Sequence, residues 1–378
     1  MMKLDAWLTV LQSATPPRSQ RVSALIDRHA SVAEVVDLPR SELAAAGLSR
    51  RQAERLKNPD RQRMDQWRAW LDRPGRGLIT RDSTDYPAML KELPDPPLAL
   101  WVEGTRSDLL NGPQLAMVGS RKPTANGRET AQRFARYLSE RGLTIVSGLA
   151  TGIDGASHRG ALLGCGGTLA VLGSGPDVLF PRSHARLAAE IIAKGLIVSE
   201  YPPGTPPLAA HFPQRNRIIA GMSAGTLVVE AARRSGSLIT ARLAGNYGRE
   251  VFAIPGSIHN PMAKGCHRLI RDGAKLVEEA ADVLVELPPL LELSMQPAAP
   301  PAGGAAEAPE ETAPLEGQPG YAELLAALGF DPCGISNLAR RTGLTAAELS
   351  SMLLLLEMEG LVEALPGGRY CRLSKRTP

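Results

Sequence analysis

A chain of 378 residues is long enough for two or three domains, and a hydrophobic share of 43% is enough to fill their cores. No uninterrupted apolar run reaches the roughly 18 residues of a membrane span, and Asp5 and Gln12 break up the apolar start, so a signal peptide is not expected. The net charge of +4 is uneven: residues 115–286 hold 20 basic against 13 acidic side chains, while 287–320 hold none against 5, which directs an anionic partner to the middle of the chain. The four cysteines, at 165, 266, 333 and 371, form no Cys-x-x-Cys pair, which excludes a disulfide framework or zinc knuckle and fits a reducing cytoplasm.

Residues 1–77 read as a small helical domain, SAM-like in size. Val22, Leu25, Ile26, Val32, Val35 and Val36 fall at helix spacing. Gly47 ends one helix and Ser49 can cap the next, a hairpin of the kind small nucleic-acid modules use, or a plain packing unit. Residues 50–81 carry ten Arg or Lys against four Asp or Glu, with Trp67 and Trp70 close by. That stretch is either a backbone-binding face or a solvated helix face over two buried tryptophans. Proline and turn signals at 85–97 then lead into a short strand at Leu98–Val102, a strap adding one strand to the next sheet.

From 115 to 287 strand and helix patterns alternate. Strands are expected at Leu115–Val118, Thr144–Ser147, Thr168–Leu172, Ile197–Glu200, Thr226–Glu230, Val251–Ile254 and Ala274–Val277. Helices lie between them, for example at Asn126–Glu140 and His184–Lys194. Crossovers of this length predict an α/β, doubly wound, Rossmann-like parallel sheet over 78–287, with ligands at the carboxyl ends of its strands. Residues 288–320, rich in proline, alanine and glutamate, read as a disordered linker. Residues 321–378 have the rhythm of a C-terminal winged-helix domain. Its second helix, Ala346–Met358, has glutamates and no Lys or Arg, which favours contact with protein over DNA.

Gly119, Ser120 and Arg121 follow the first strand. A sharp turn, backbone donors at a helix N-terminus and a guanidinium fork would make a phosphate cradle there. The second and third glycines of a dinucleotide fingerprint are missing, and so is a Gly-Lys-Ser/Thr, so neither NAD nor ATP is expected as cofactor. Arg215, Asn216 and Arg217 could bracket phosphate and base, or form internal ion pairs with Glu230 or Glu200. Ser235, Gly236 and Ser237 make a second anion-friendly turn, or Ser237 simply caps a helix. Asp154 and His158 share one helix face, but no nucleophile or metal spacing accompanies them, so a local hydrogen-bonding role suits His158 better. Cys266 and His267 diverge on a helix and make a poor metal site.

Several stretches, in order, resemble the DNA-processing protein A family (DprA, also called Smf). They are Met117-Val-Gly-Ser-Arg, Ile145-Val-Ser-Gly-Leu-Ala-Thr-Gly-Ile-Asp, Leu169-Ala-Val-Leu-Gly-Ser-Gly-Pro-Asp-Val-Leu-Phe-Pro, Ser199-Glu-Tyr-Pro-Pro-Gly-Thr, Phe212-Pro-Gln-Arg-Asn-Arg-Ile-Ile-Ala-Gly, Ser235-Gly-Ser-Leu-Ile-Thr-Ala and Val251-Phe-Ala-Ile-Pro-Gly. The resemblance implies binding of single-stranded DNA, a homodimer formed through the central domain, and loading of the recombinase RecA during natural transformation. It implies DNA contacts at Gly119, Ser120 and Arg121, with Gly148, Arg215, Asn216, Arg217, Ser235 and Ser237 in matching motifs, and at a basic residue after Pro181, either Arg182 or Arg186. Gly175-Pro-Asp177 and Phe180-Pro181 stand where the family often has Gly-Leu-Asp and Tyr-Pro. The expectation is a non-enzymatic, sequence-independent DNA binder with no catalytic or metal residues. The rivals are a phosphoribohydrolase-like nucleotide hydrolase and a nucleotide-sensing adaptor.

Overall fold

The computed structural model describes residues 3–14, 20–287, 320–328 and 332–373. The linker expected over 288–320 lies, but for Gly320, outside the described residues.

Six helices open the described chain: α1 (Lys3–Ser13), α2 (Gln20–Ile26), α3 (Val32–Asp37), α4 (Arg40–Ala45), α5 (Arg50–Lys57) and α6 (Arg61–Leu71). The α4–α5 hairpin forms as its sequence directs. Gly47 takes φ +82°, and Ser49 caps α5 in a reciprocal box with Gln52. On α6, Trp67 and Trp70 are buried and meet Trp101 edge-on at 5.5 and 5.8 Å. The helical bundle therefore shares a core with the sheet that follows.

That sheet has nine strands: β1 (Arg76–Thr80), β2 (Ala99–Gly104), β3 (Gln114–Val118), β4 (Thr144–Ser147), β5 (Thr168–Leu172), β6 (Leu196–Ser199), β7 (Gly225–Val228), β8 (Glu250–Ala253) and β9 (Lys275–Leu276). Between and after them lie α7 (Ala88–Lys91), α8 (Ala125–Glu140), α9 (Ile153–Ala161), α10 (Ala185–Lys194), α11 (His211–Met222), α12 (Ser237–Asn246), α13 (Lys264–Arg271) and α14 (Ala280–Glu286). The order is β1-β2-β6-β5-β4-β3-β7-β8-β9, parallel from β6 to β9, with β1 and β2 antiparallel at one edge. The strap thus adds two strands rather than one. β1 escaped the sequence pattern because only Leu78 and Ile79 of its five residues are apolar.

Alternation along β3 shows why both faces are covered. Leu115 and Met117 pack with α8 and α9, and Ala116 and Val118 pack with α11 and α12. The chain winds from β3 out to β6, then returns to β7 on the other side of β3. The switch point lies between the carboxyl ends of β3 and β7, where a doubly wound sheet opens a crevice.

The last unit comprises α15 (Tyr321–Leu328), β10 (Cys333–Gly334), α16 (Ile335–Thr342), α17 (Ala346–Met358), β11 (Val362–Leu365) and β12 (Arg369–Arg372). It is a winged helix: Gly343 ends α16 in the left-handed region, Thr345 and Glu348 box the start of α17, and β11–β12 form the wing. Among the described residues no helix is long and apolar enough to cross a membrane.

Candidate functional site

The loops that leave β3, β4, β5, β6 and β7 lie along one edge of the sheet, and most of the sequence-derived candidates sit on them. The turn after β3 is not the open nest of backbone donors that its sequence suggests. The Ser120 N–H donates to the Glu230 carbonyl at 2.7 Å, and the Ser120 hydroxyl, itself buried, accepts the Lys122 N–H at 3.0 Å. Gly152, at φ +83°, lets the β4–α9 turn rest on this loop; a Cβ there would come 2.3 Å from the Ser120 carbonyl.

Nor is the N-terminus of α8 free for an anion. Glu230, buried at the end of β7, reaches across the switch point and accepts the Thr124 N–H at 2.9 Å and its hydroxyl at 2.6 Å. Thr124 in turn caps α8 by accepting the Gly127 N–H at 3.0 Å. A carboxylate thus occupies the place where a doubly wound nucleotide site seats its phosphate. The cradle expected at Gly119–Arg121 is therefore closed as a backbone pocket, and what remains for a ligand is the Arg121 side chain. It is exposed, forms no ion pair among the described residues, and lies over the Phe212 ring at 5.8 Å.

Arg215 has the opposite fate. It is 4% exposed, and its guanidinium donates to the Val171 carbonyl and, at 2.7 Å, to the Gly148 carbonyl. Gly148 is glycine because a Cβ would meet that guanidinium at 2.3 Å. Burial first pushes the Arg215 pKa down to about 10, while the nearby Asp154 charge pulls it back, so the group stays protonated at neutral pH. Asp154 accepts the Gly148 N–H at 3.2 Å, and burial raises its own pKa. Arg215 and Gly148 brace β4 and β5 from within and present nothing to a ligand. Both are among the residues expected to touch DNA, and the structure places both inside the fold.

Arg217 follows the internal reading. It donates to Glu200 at 2.5 Å and to the Asp95 carbonyl at 2.7 Å, tying α11 to the end of β6 and to the strap. The Asn216 side chain, half-buried between the two arginines, has no hydrogen-bond partner among the described residues. Ser235 and Ser237 share a hydrogen bond at 2.7 Å, and the Ser237 N–H leans on the Ser235 hydroxyl at 3.4 Å. That turn opens α12 and leaves Gly236 exposed with open space around it. Of the two arginines after Pro181, Arg186 pairs with Glu190 at 3.1 Å, whereas Arg182 is exposed and unpaired among the described residues.

Three basic residues that border the quoted motifs were passed over: Lys122, Arg233 and Arg234 are exposed and unpaired among the described residues. Two aromatics were also missed. Phe180, 46% exposed and two residues before Arg182, packs at 5.6 Å against Phe212, the ring under Arg121. Free cations flanking an aromatic pair with one exposed ring can hold phosphates and stack a planar ring together. The signal available in the sequence was the spacing Phe180-Pro-Arg182, an aromatic next to a cation outside any helix pattern.

His158 has both ring nitrogens engaged inside the fold. The Thr168 hydroxyl donates to the Ile145 carbonyl at 2.6 Å, so at 2.7 Å it accepts the His158 Nδ1–H. Nε2 then accepts the Leu149 N–H at 3.2 Å. The ring is a fully buried neutral tautomer, and burial pushes its pKa down to about 3. Cys266 is buried while His267 faces the Gly256 carbonyl at 2.9 Å, so the two diverge.

With this geometry in place, comparison with known proteins is informative. The family model for DNA recombination-mediator protein A matches residues 77–288, and that for the DprA winged helix domain matches 305–368. The chain is 44% identical over 338 residues to Protein Smf of Escherichia coli, covering 88% of this chain and 87% of that one. It is 50% identical over 201 residues to DNA processing protein DprA of Streptococcus pneumoniae, 53% of this chain and 71% of that one. The solved structure of DprA from Streptococcus pneumoniae superposes with a TM-score of 0.67 at 38% identity, covering 76% of this chain and 99% of that one. A structure of DNA processing protein A from Helicobacter pylori, described for its single-stranded DNA binding mode, gives 0.51 at 28% identity, covering 57% and 97%.

Proposed function

The chain belongs to the DNA recombination-mediator protein A family, and from that premise we propose that it binds single-stranded DNA along the carboxyl edge of its sheet and hands the strand to the recombinase RecA. The observation that carries the reading is the pairing of unneutralised cations with two packed aromatics, exposed Phe180 and half-buried Phe212: Arg121 lies over Phe212, and Arg182 is two residues from Phe180. Lys122, Arg233 and Arg234 extend the charge along the same edge. Phosphate contacts and ring stacking carry no base code, so binding is independent of sequence.

The role is non-enzymatic. Asp154 and His158, the one acid–base pair in the sequence pattern, are both consumed in holding the β4–α9 turn. Glu230 blocks the phosphate seat that a nucleotide hydrolase or a nucleotide-sensing adaptor needs, so a polymeric ligand lying across the edge fits better than a mononucleotide inserted into it. A homodimer would double the contacts with one strand and raise its apparent affinity. The winged helix contributes a protein contact: α17 exposes Leu354, Leu355 and Met358 beside glutamates, a poor surface for phosphates. Fluorescence anisotropy with labelled oligo-dT, competed by free mononucleotides, tests the reading. Oligomer binding that excess mononucleotide leaves in place supports it, and preferential mononucleotide binding contradicts it.

A further inference from the structure

The ten basic residues of 50–81 are not absorbed by the sheet edge, and the structure divides them. Arg68, Arg76 and Arg81 form ion pairs with Asp5, Glu103 and Asp27, and Lys57 donates to a helix-end carbonyl. Arg51, Arg61 and Arg63 are exposed and form no ion pair among the described residues. The carboxylates that could neutralise them are engaged elsewhere. Glu54 pairs with Arg40, Asp65 with Arg68, and Asp60 caps α6 by accepting the Arg63 N–H at 3.1 Å.

A buried glutamine holds this face together. Gln12, on α1, brackets Asp60 with both ends of its amide, accepting its N–H at 2.8 Å and donating to its carbonyl at 3.0 Å. The Gln12 backbone carbonyl accepts from Arg55 at 3.1 Å. The start of α6 and the middle of α5 are thus pinned side by side, and Arg51, Arg55 and Arg63 converge. Burial first, and the positive charges of Arg51 and Arg63 next, pull the Arg55 guanidinium below its ordinary value. Like charges gathered on rigid helices whose carboxylates are engaged elsewhere favour an anion from outside. The face is joined to the same sheet. Trp67 of α6 packs on Trp101, and Trp101 pairs in register with Ser199, the last residue of β6, at the sheet's carboxyl edge.

We propose that the arginine face of α5 and α6 is a second phosphate-binding surface, one that holds the backbone of duplex DNA next to the single strand on the sheet edge. The choice of duplex rests on what the face lacks. Its tryptophans are buried, so it offers bases no stacking platform, only charge at fixed spacing. A duplex presents about twice the charge per unit length of a single strand. The proposal rests on the single-strand reading for the strand it sets beside the duplex and for the tail of the probe, not for the phosphate contacts of the arginine face.

The probe is a hairpin duplex carrying an oligo-dT tail, compared with the tail alone. The variants are R51Q/R61Q/R63Q and R51K/R61K/R63K, all at exposed positions. The glutamine variant is expected to bind the tailed duplex at least about tenfold more weakly. Its plot of log K against log salt should be shallower by about 2.7, three phosphates at 0.9 each, while binding of the tail alone is unchanged. The lysine variant should stay within about threefold of the parent, since the counterion-release term follows the number of positive charges, Lys or Arg alike. Parental binding of the tailed duplex by the glutamine variant overturns the proposal. Equal weakening on both probes overturns the duplex assignment, and so does equal loss in the lysine variant, which would mark a packing role. If the parent does not bind the tail alone but the glutamine variant still loses duplex affinity, the sheet-edge reading fails and this one stands.

Discussion

Glu230 spans the switch point of the sheet to hold Thr124 by both its N–H, at 2.9 Å, and its hydroxyl, at 2.6 Å. The contact fixes α8 to β7 and fills, with the protein's own carboxylate, the seat a phosphate takes in related architectures. Glu230→Ala should cost about 1 kcal/mol or more, because the half-buried Thr124 donors lose a charged acceptor. It should also open an anion site. Thermal melting in phosphate is then expected to raise the Tm of the variant more than that of the parent, and equal shifts would contradict the role given to Glu230.

Arg121→Ala should leave the fold within about 0.5 kcal/mol of the parent, as expected for an exposed side chain with no ion pair. Its affinity for oligo-dT should fall. Denaturant unfolding and anisotropy on the same preparation check the two halves separately.

Arg215→Ala should do the reverse. The guanidinium braces Gly148 and Val171 from inside, and losing it should cost about 3 kcal/mol, since Asp154 stays buried without its positive neighbour. DNA binding by the fraction that remains folded should match the parent. Weak binding by a fully folded variant would restore Arg215 to the interface.

Acid should weaken the fold through His158. Its folded pKa of about 3 lies below the ordinary 6.5, so the unfolded chain binds the extra proton between those values. The stability it contributes is complete above about pH 6.5 and is lost as pH falls toward 3, at roughly 1.4 kcal/mol per pH unit. The positive groups nearby, His184, Arg215 and Arg159, act in the same direction. Urea unfolding from pH 7.5 to 4 should show a steeper loss for the parent than for His158→Gln, which is less stable at neutral pH but lacks that proton. Parallel curves would refute the assignment.

How much of this could be read from sequence depended on burial. β3 to β8 are apolar on both faces, so each appeared as an unbroken run and was placed within a residue or two. β1, with two apolar residues at the edge, left no such run. At the site, sequence named the right loops but not the direction of their side chains. Arg121 and Arg215 both sit in glycine-rich motifs near strand ends, yet one lies in solvent over Phe212 and the other inside against Gly148. Glu230 was seen as an arginine partner; that it would cap a helix more than a hundred residues earlier depends on β7 returning beside β3, a fact of topology that no local pattern holds.

The central claim, that free side chains along the sheet edge hold DNA phosphates, is tested most directly by the salt dependence of oligo-dT binding in the parent and Arg121→Ala. With about four phosphates neutralised, log K should fall against log salt with a slope near −3, and Arg121→Ala should reduce that slope by about 0.7, one phosphate. A salt-independent affinity, or a variant with the parental slope and affinity, would contradict the account.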